Sequence, residues 1–212
     1  MSTMNRRQLL TASVLLPAAG ALTACSTAPA RPKFAPPLPG REVMRRRYFP
    51  DVVLTTHEGK RVRFYGDLLK DKIVVLNLMY AKCAGVCPVI TANLVKARAL
   101  LPEAARDQVH FYSITIKPEE DIPEKLRAYA EMHGTGPGWL FLTGRPEDVE
   151  LLRHKLGYVD IDPEVDKDKS RHGGMVRFGN EPLAQWGACQ GEARPEWVAR
   201  EISFVIPRSL RL

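Results

Sequence analysis

Between residues 71 and 81 the sequence reads DKIVVLNLMYA, an almost continuous apolar run that predicts a strand covered on both faces. Upstream, DVVLTTHEGKRVRFY holds two short β-rich runs around Glu58-Gly59 and predicts a hairpin. Downstream, Pro88 suits the first turn of a helix, where its missing N–H costs nothing, and that helix is expected to run through Leu94 and Leu100 to a stop at Pro102. QVHFYSITIKP predicts a strand, IPEKLRAYAEMHG a helix ending at Gly134, GWLFLTG a strand, and RPEDVELLRHKLGY a helix with acidic residues in its first turn. Residues 159–171, VDIDPEVDKDKSR, are charged and unpatterned and are expected to form an exposed loop. GMVRFG predicts a short strand and RPEWVAREISFVI a closing helix begun by Pro195. The alternation predicts an α/β domain, and within it a central strand that feeds the Cys83/Cys87 pair at a helix start points to a thioredoxin-like fold: a central mixed sheet flanked by helices, with the hairpin at its N-terminal end.

The ends of the chain change this picture. Arg6-Arg7 precede a run from Leu9 to Ala24 that carries no charge and is mostly apolar, which predicts an export signal over residues 1–24. The arginine pair is similar to the twin-arginine type, although a general secretory signal also starts positive. The run is short for a membrane span, which wants ~20 apolar residues, and it contains Pro17 and Gly20. It closes on Leu22-Thr23-Ala24-Cys25, which resembles the bacterial lipoprotein box, so Cys25 is expected to take a lipid. Residues 25–42 are rich in Pro and Ala and predict a lipid-anchored tether, leaving 43–212 as the folded domain. The expected location is the periplasmic side of a bacterial membrane.

Charge adds little. The formal +7 falls by two once Arg6 and Arg7 leave, and the densest basic cluster, Arg41 with Arg45-Arg46-Arg47, is expected to be a solvated stretch beside the tether. No aromatic-interleaved basic stripe or recognition helix is present, which argues against nucleic acid. The cysteines matter more. With Cys25 spent on lipid, Cys83, Cys87 and Cys189 remain, an odd count for an oxidising compartment.

Cys83 and Cys87 lie in YAKCAGVCPVI, between the buried strand and the helix start, with Gly85 expected to let the loop turn tightly. A cysteine there faces unpaired helix N–H groups, which favour thiolate, the form that attacks disulfides and binds soft metals. Such a pair can close as a disulfide, although thioredoxin-type motifs usually place two residues between the cysteines. Two thiolates make a poor zinc site, whereas monovalent copper is well served by two thiolates and one imidazole. Of the five histidines, His57, His110, His133 and His154 read as structural. His172 follows the charged segment and precedes Gly173-Gly174, so it reads either as a ligand able to swing over the pair or as an idle loop histidine.

Taken together, CAGVCP at 83–88, KPEEDIPEKLRAYA at 117–130, GWLFLTG at 138–144 and the late His172 resemble the SCO/SenC copper proteins over residues 48–206. These are membrane-tethered thioredoxin-like domains that help assemble cytochrome c oxidase. The resemblance implies that Cys83, Cys87 and His172 bind copper, as Cu(I) or alternately Cu(II), and pass it to the copper-receiving subunit of a respiratory oxidase. As the alternative, it allows a thiol-disulfide reductase in which the Cys83/Cys87 pair is catalytic, served by thioredoxin-like reductants. A peroxide-reducing thiol enzyme on the same fold would need an arginine that nothing in the sequence fixes. Two departures stand out: Lys117 occupies a position where the family usually has Asp, and Arg171 and Gly173 flank His172 in place of Asp and Ser. Met175 reads as an apolar strand residue or a weak thioether contact, and Cys189 as a buried thiol or a resolving partner.

Overall fold

The structure, a computed structural model, describes residues 39–168 and 174–211. Helix α1 (Gly40–Tyr48) leads into the hairpin β1 (Val53–Thr56) and β2 (Arg61–Arg63), a π-helical turn at Phe64–Leu69, and strand β3 (Ile73–Met79). Then follow α2 (Val86–Leu100), the short α3 (Glu103–Arg106), β4 (Val109–Thr115), α4 (Pro123–Met132), β5 (Trp139–Gly144), α5 (Pro146–Lys155), α6 (Pro163–Lys167), β6 (Met175–Asn180), β7 (Gln185–Gln190) and α7 (Pro195–Ser203). No described helix is long and apolar enough to cross a membrane.

The strands form one mixed sheet in the order β2-β1-β5-β4-β3-β6-β7. Every residue of β3 is buried, which is what its unbroken apolar run demands of a strand enclosed by neighbours and covered on both faces. β3 runs parallel to β4, with Met79 opposite Thr115, and antiparallel to β6, with Asn77 opposite Val176. That register has a direct consequence: the chain enters β6 at the same end of the sheet at which it leaves β3. The predicted hairpin, central strand and helices stand where the sequence places them, and α2 packs against α7.

Three features depart from the sequence reading. The basic cluster of α1 stays at the surface, with none of the helix buried, but its arginines are engaged rather than free in solvent. The Arg41 guanidinium donates to Glu181 at 2.7 and 2.6 Å and to Asp71 at 2.6 Å, while Arg45 and Arg46 pair with Glu42 at 2.8 and 2.6 Å. Glu181 is 2% exposed and also accepts from the Tyr65 hydroxyl and the Asp71 N–H, so a buried carboxylate fastens α1 to the body of the domain. Second, the charged segment after α5 is exposed as expected, yet it carries α6, capped by the Asp162 side chain on the Glu164 N–H. Asp166 accepts from Arg153 at 2.6 Å and ties this segment to α5. Third, β7 closes the edge beside β6, where Gly179 faces Trp186 so closely that a Cβ would lie 2.2 Å from the indole. Trp186 in turn packs on Phe49 at 4.4 Å between ring centroids.

Candidate metal centre

The site grows from the end of β3. Met79 is the last strand residue, and Ile116 N–H donates to its carbonyl at 2.9 Å, holding the exits of β3 and β4 together. Ala81 N–H donates to Asp121 Oδ2 at 3.0 Å, and the Thr115 hydroxyl donates to the same oxygen. Asp121 is 2% exposed, so this carboxylate is a buried clamp joining the loop before Cys83 to the loop before α4. Cys83 N–H then closes a turn on the Tyr80 carbonyl at 3.1 Å, and α2 begins after Gly85. Gly85 has φ −106°, so glycine is not required there by a left-handed backbone; a Cβ at this position would instead touch the Cys83 sulfur at 4.0 Å.

Cys83 and Cys87 are brought together. They are 7% and 1% exposed, are not disulfide-bonded, and hydrogen-bond one another through their sulfurs. Burial alone would push the Cys83 thiol up. Hydrogen bonds from the Cys87 thiol, the Cys87 and Gly85 N–H groups and the Tyr80 side chain outweigh it and hold Cys83 below the ordinary thiol value. Cys87 goes the other way, pushed up to about 12 by burial and by its bond to Cys83, against a weaker pull from the Tyr80 N–H. The pair therefore holds one sulfur towards thiolate and one towards thiol, and it is the loop cysteine Cys83, not Cys87 at the helix start, that is held towards thiolate. In reduced, metal-free protein Cys83 is expected to alkylate first at neutral pH, with Cys87 and Cys189 protected. Peptide mass mapping after brief alkylation checks this order, and equal labelling of Cys83 and Cys87 would contradict it.

Two tyrosines flank the sulfurs. Tyr80 is pushed up to about 12 by burial, by its hydrogen bond to Cys83 and by the nearby charges of Cys83, Cys87 and Asp168. The Tyr129 hydroxyl shares a 3.0 Å hydrogen bond with Thr91, whose own hydroxyl donates to the Cys87 carbonyl at 2.9 Å. Lys117 places its ammonium 4.3 Å from the centroid of the Tyr80 ring. Tyr80, Asp121 and Tyr129 escape the sequence reading. Only the unusual Lys117 signalled that this corner differs.

His172 and Cys25 lie outside the described residues, as do Arg171 and Gly173. Among the described residues no group of three or more His, Cys, Asp or Glu side chains converges as metal ligands. Asp168 is near enough for its charge to act on Tyr80, and a Cβ on Gly174 would meet Ile90, in the first turns of α2, at 3.1 Å. The other histidines are occupied elsewhere. His57 Nδ1 accepts from Phe141 N–H, His110 stacks on Tyr112, His133 packs on Tyr129 beyond the end of α4, and His154 pairs with Glu150. Met175 opens β6 opposite Gln190, and Cys189 lies on β7 opposite Val176, its buried thiol pushed up to about 11 by burial and by Glu201.

Residues 45–202 match the family model described as SCO1/SenC. A curated relative, the SCO1 protein homolog of Bacillus subtilis (strain 168), is 28% identical over 88 residues, 41% of this chain and 44% of its own. The chain thus aligns with less than half the length of that relative. Among solved structures, Bradyrhizobium japonicum ScoI with copper bound superposes with a TM-score of 0.56 at 20% identity, over 73% of this chain and 96% of its own. BsSco, described as a member of the Sco family of cytochrome c oxidase assembly proteins with a disulfide switch, gives a TM-score of 0.60 at 19% identity, over 75% and 93%. At these identities the superpositions establish the fold.

Proposed function

The chain belongs to the SCO1/SenC family, and from that membership we propose that it is a membrane-tethered copper carrier. It would hold one copper ion on Cys83, Cys87 and His172 and deliver it to the copper-receiving subunit of a respiratory oxidase. The observation that carries this reading is the pair itself: two buried sulfurs hydrogen-bonded at a helix start, one of them held towards thiolate. Such a donor set suits Cu(I), which is soft and accepts few ligands, and an added imidazole would also serve Cu(II). The register of β6 supports His172 as the third ligand. Gly174 packs at α2, and His172 stands two residues before it, within a reach of about 7 Å of extended chain. Delivery would proceed by ligand exchange, incoming thiolates displacing the imidazole before the buried sulfurs. Lipid on Cys25 and the tether that leads from it to α1 would keep the domain over the membrane from its periplasmic side.

The asymmetry of the pair favours a second reading, a thiol-disulfide reductase that reduces the cysteines of the target copper centre. Cys83 would attack as thiolate and Cys87 would resolve the mixed disulfide, with thioredoxin-like reductants regenerating the pair. His172→Ala separates the two. Titration of the reduced protein with Cu(I) against a competing chelator is expected to show one tightly held equivalent. The variant should lose more than about 100-fold in affinity, the upper end of what an outer-shell partner is worth, while its rate of disulfide exchange stays near that of the parent. Full copper affinity in His172→Ala would remove His172 from the ligand set.

A further inference from the structure

Lys117 and Tyr80 follow neighbouring parallel strands and leave the sheet at the same level. Met79 stands opposite Thr115, and Ile116 N–H bonds the Met79 carbonyl. Lys117 is fixed at its backbone, where its N–H donates to Thr115 Oγ1 at 3.0 Å, the same hydroxyl that bonds Asp121. Its ammonium lies 4.3 Å from the centroid of the Tyr80 ring and 3.8 Å from a Glu120 carboxylate oxygen. Tyr80 is 9% exposed, its carbonyl accepts from the Cys83 N–H at 3.1 Å, and its phenol acts on the Cys83 sulfur. A cation on the face of a phenol is attracted by the ring and draws electron density from it, which makes the O–H a better donor.

We propose that Lys117 is a positioning residue for Cys83, acting through Tyr80: the ammonium locks the ring in place and strengthens the hydrogen bond that the phenol gives to the Cys83 sulfur. This rests on Cys83 being a working sulfur of the functional site. Hydrogen bonds donated to a cysteine sulfur stabilise its electron-rich form and so favour the reduced state, in a dithiol as at a metal. The chain therefore sets the redox poise of its cysteine pair with a lysine that touches neither sulfur in the described contacts.

The test is the dithiol–disulfide equilibrium of the metal-free full chain in a glutathione buffer, read by trapping free thiols and weighing the peptide that carries Cys83 and Cys87. In this exchange the pair gives two electrons and two protons to oxidised glutathione and leaves two reduced glutathiones. Lys117→Met is expected to move the equilibrium about tenfold towards the disulfide, about 30 mV for a two-electron couple. Tyr80→Phe should do the same, Lys117→Arg should restore the parent value, and Lys117→Met should add nothing in the Tyr80→Phe background. No shift in Lys117→Met, or a shift that persists without the phenol, overturns the proposal, the latter by showing that the charge acts on the sulfur directly. A shift of equal size in Lys117→Arg also overturns it, because the cation is then not what matters. Since no copper is present, failure to bind copper would sink the functional reading and leave this one standing, and a flat mutant cycle would do the reverse.

Discussion

Serine in place of Cys87 is expected to abolish tight copper binding while the domain stays folded. Cys87 is 1% exposed in the first turn of α2, and its thiol bonds Cys83. A hydroxyl is a hard donor of nearly the same size, so it preserves packing but offers a soft ion nothing in exchange for the lost sulfur. The stability cost should stay near 1 kcal/mol, the scale of one altered hydrogen bond. The affinity loss should exceed the ~100-fold typical of an outer-shell partner, because a ligand itself is gone. The same substitution prevents the disulfide, so disulfide exchange should stop after the first mixed disulfide. Chelator competition and a thermal melt on one preparation read both quantities; copper held as tightly as by the parent would remove Cys87 from the site.

Asp121→Ala is expected to cost both stability and copper affinity although the residue is no ligand. Its buried carboxylate oxygen accepts from the Ala81 N–H and the Thr115 hydroxyl. Alanine leaves the buried Thr115 hydroxyl and the partly buried Ala81 N–H without that partner, and each such orphan costs about 1–3 kcal/mol, so urea unfolding should show a loss of roughly 2–4 kcal/mol. Ala81 stands two residues before Cys83, and releasing it loosens the turn that sets the first sulfur against the second. Copper affinity should fall by about 10–100-fold, the range for groups that orient ligands. Asp121→Asn, which keeps an acceptor oxygen, should recover part of each loss. An alanine variant as stable as the parent would show that the clamp carries no weight.

The parts of this architecture that rest on local pattern are legible in the sequence. The unbroken apolar run of β3 marks the centre of the sheet, and a cysteine pair followed by Pro88 marks a loop entering a helix. What rests on distant partners is not legible. Docking of α1 depends on Arg41 meeting Glu181, 140 residues away, and α6 depends on Asp166 meeting Arg153. Strand β7, QWGACQ, has a single buried residue and no clear alternation, so only pairing with β6 identifies it as a strand. Within the site, the sulfurs announce themselves by residue type and spacing. Tyr80 and Asp121 do not, because a tyrosine after an apolar strand reads as core and an Asp among acidic neighbours reads as surface.

On the proposed reading, two cysteine sulfurs and one imidazole hold the copper. X-ray absorption on the reduced protein loaded with one equivalent of Cu(I) tests it most directly, because the technique counts sulfur and nitrogen neighbours of the metal. Two sulfurs and one nitrogen are expected in the parent, with the nitrogen lost in His172→Ala and one sulfur lost in Cys87→Ser. A spectrum with sulfur neighbours alone, unchanged by His172→Ala, would contradict it.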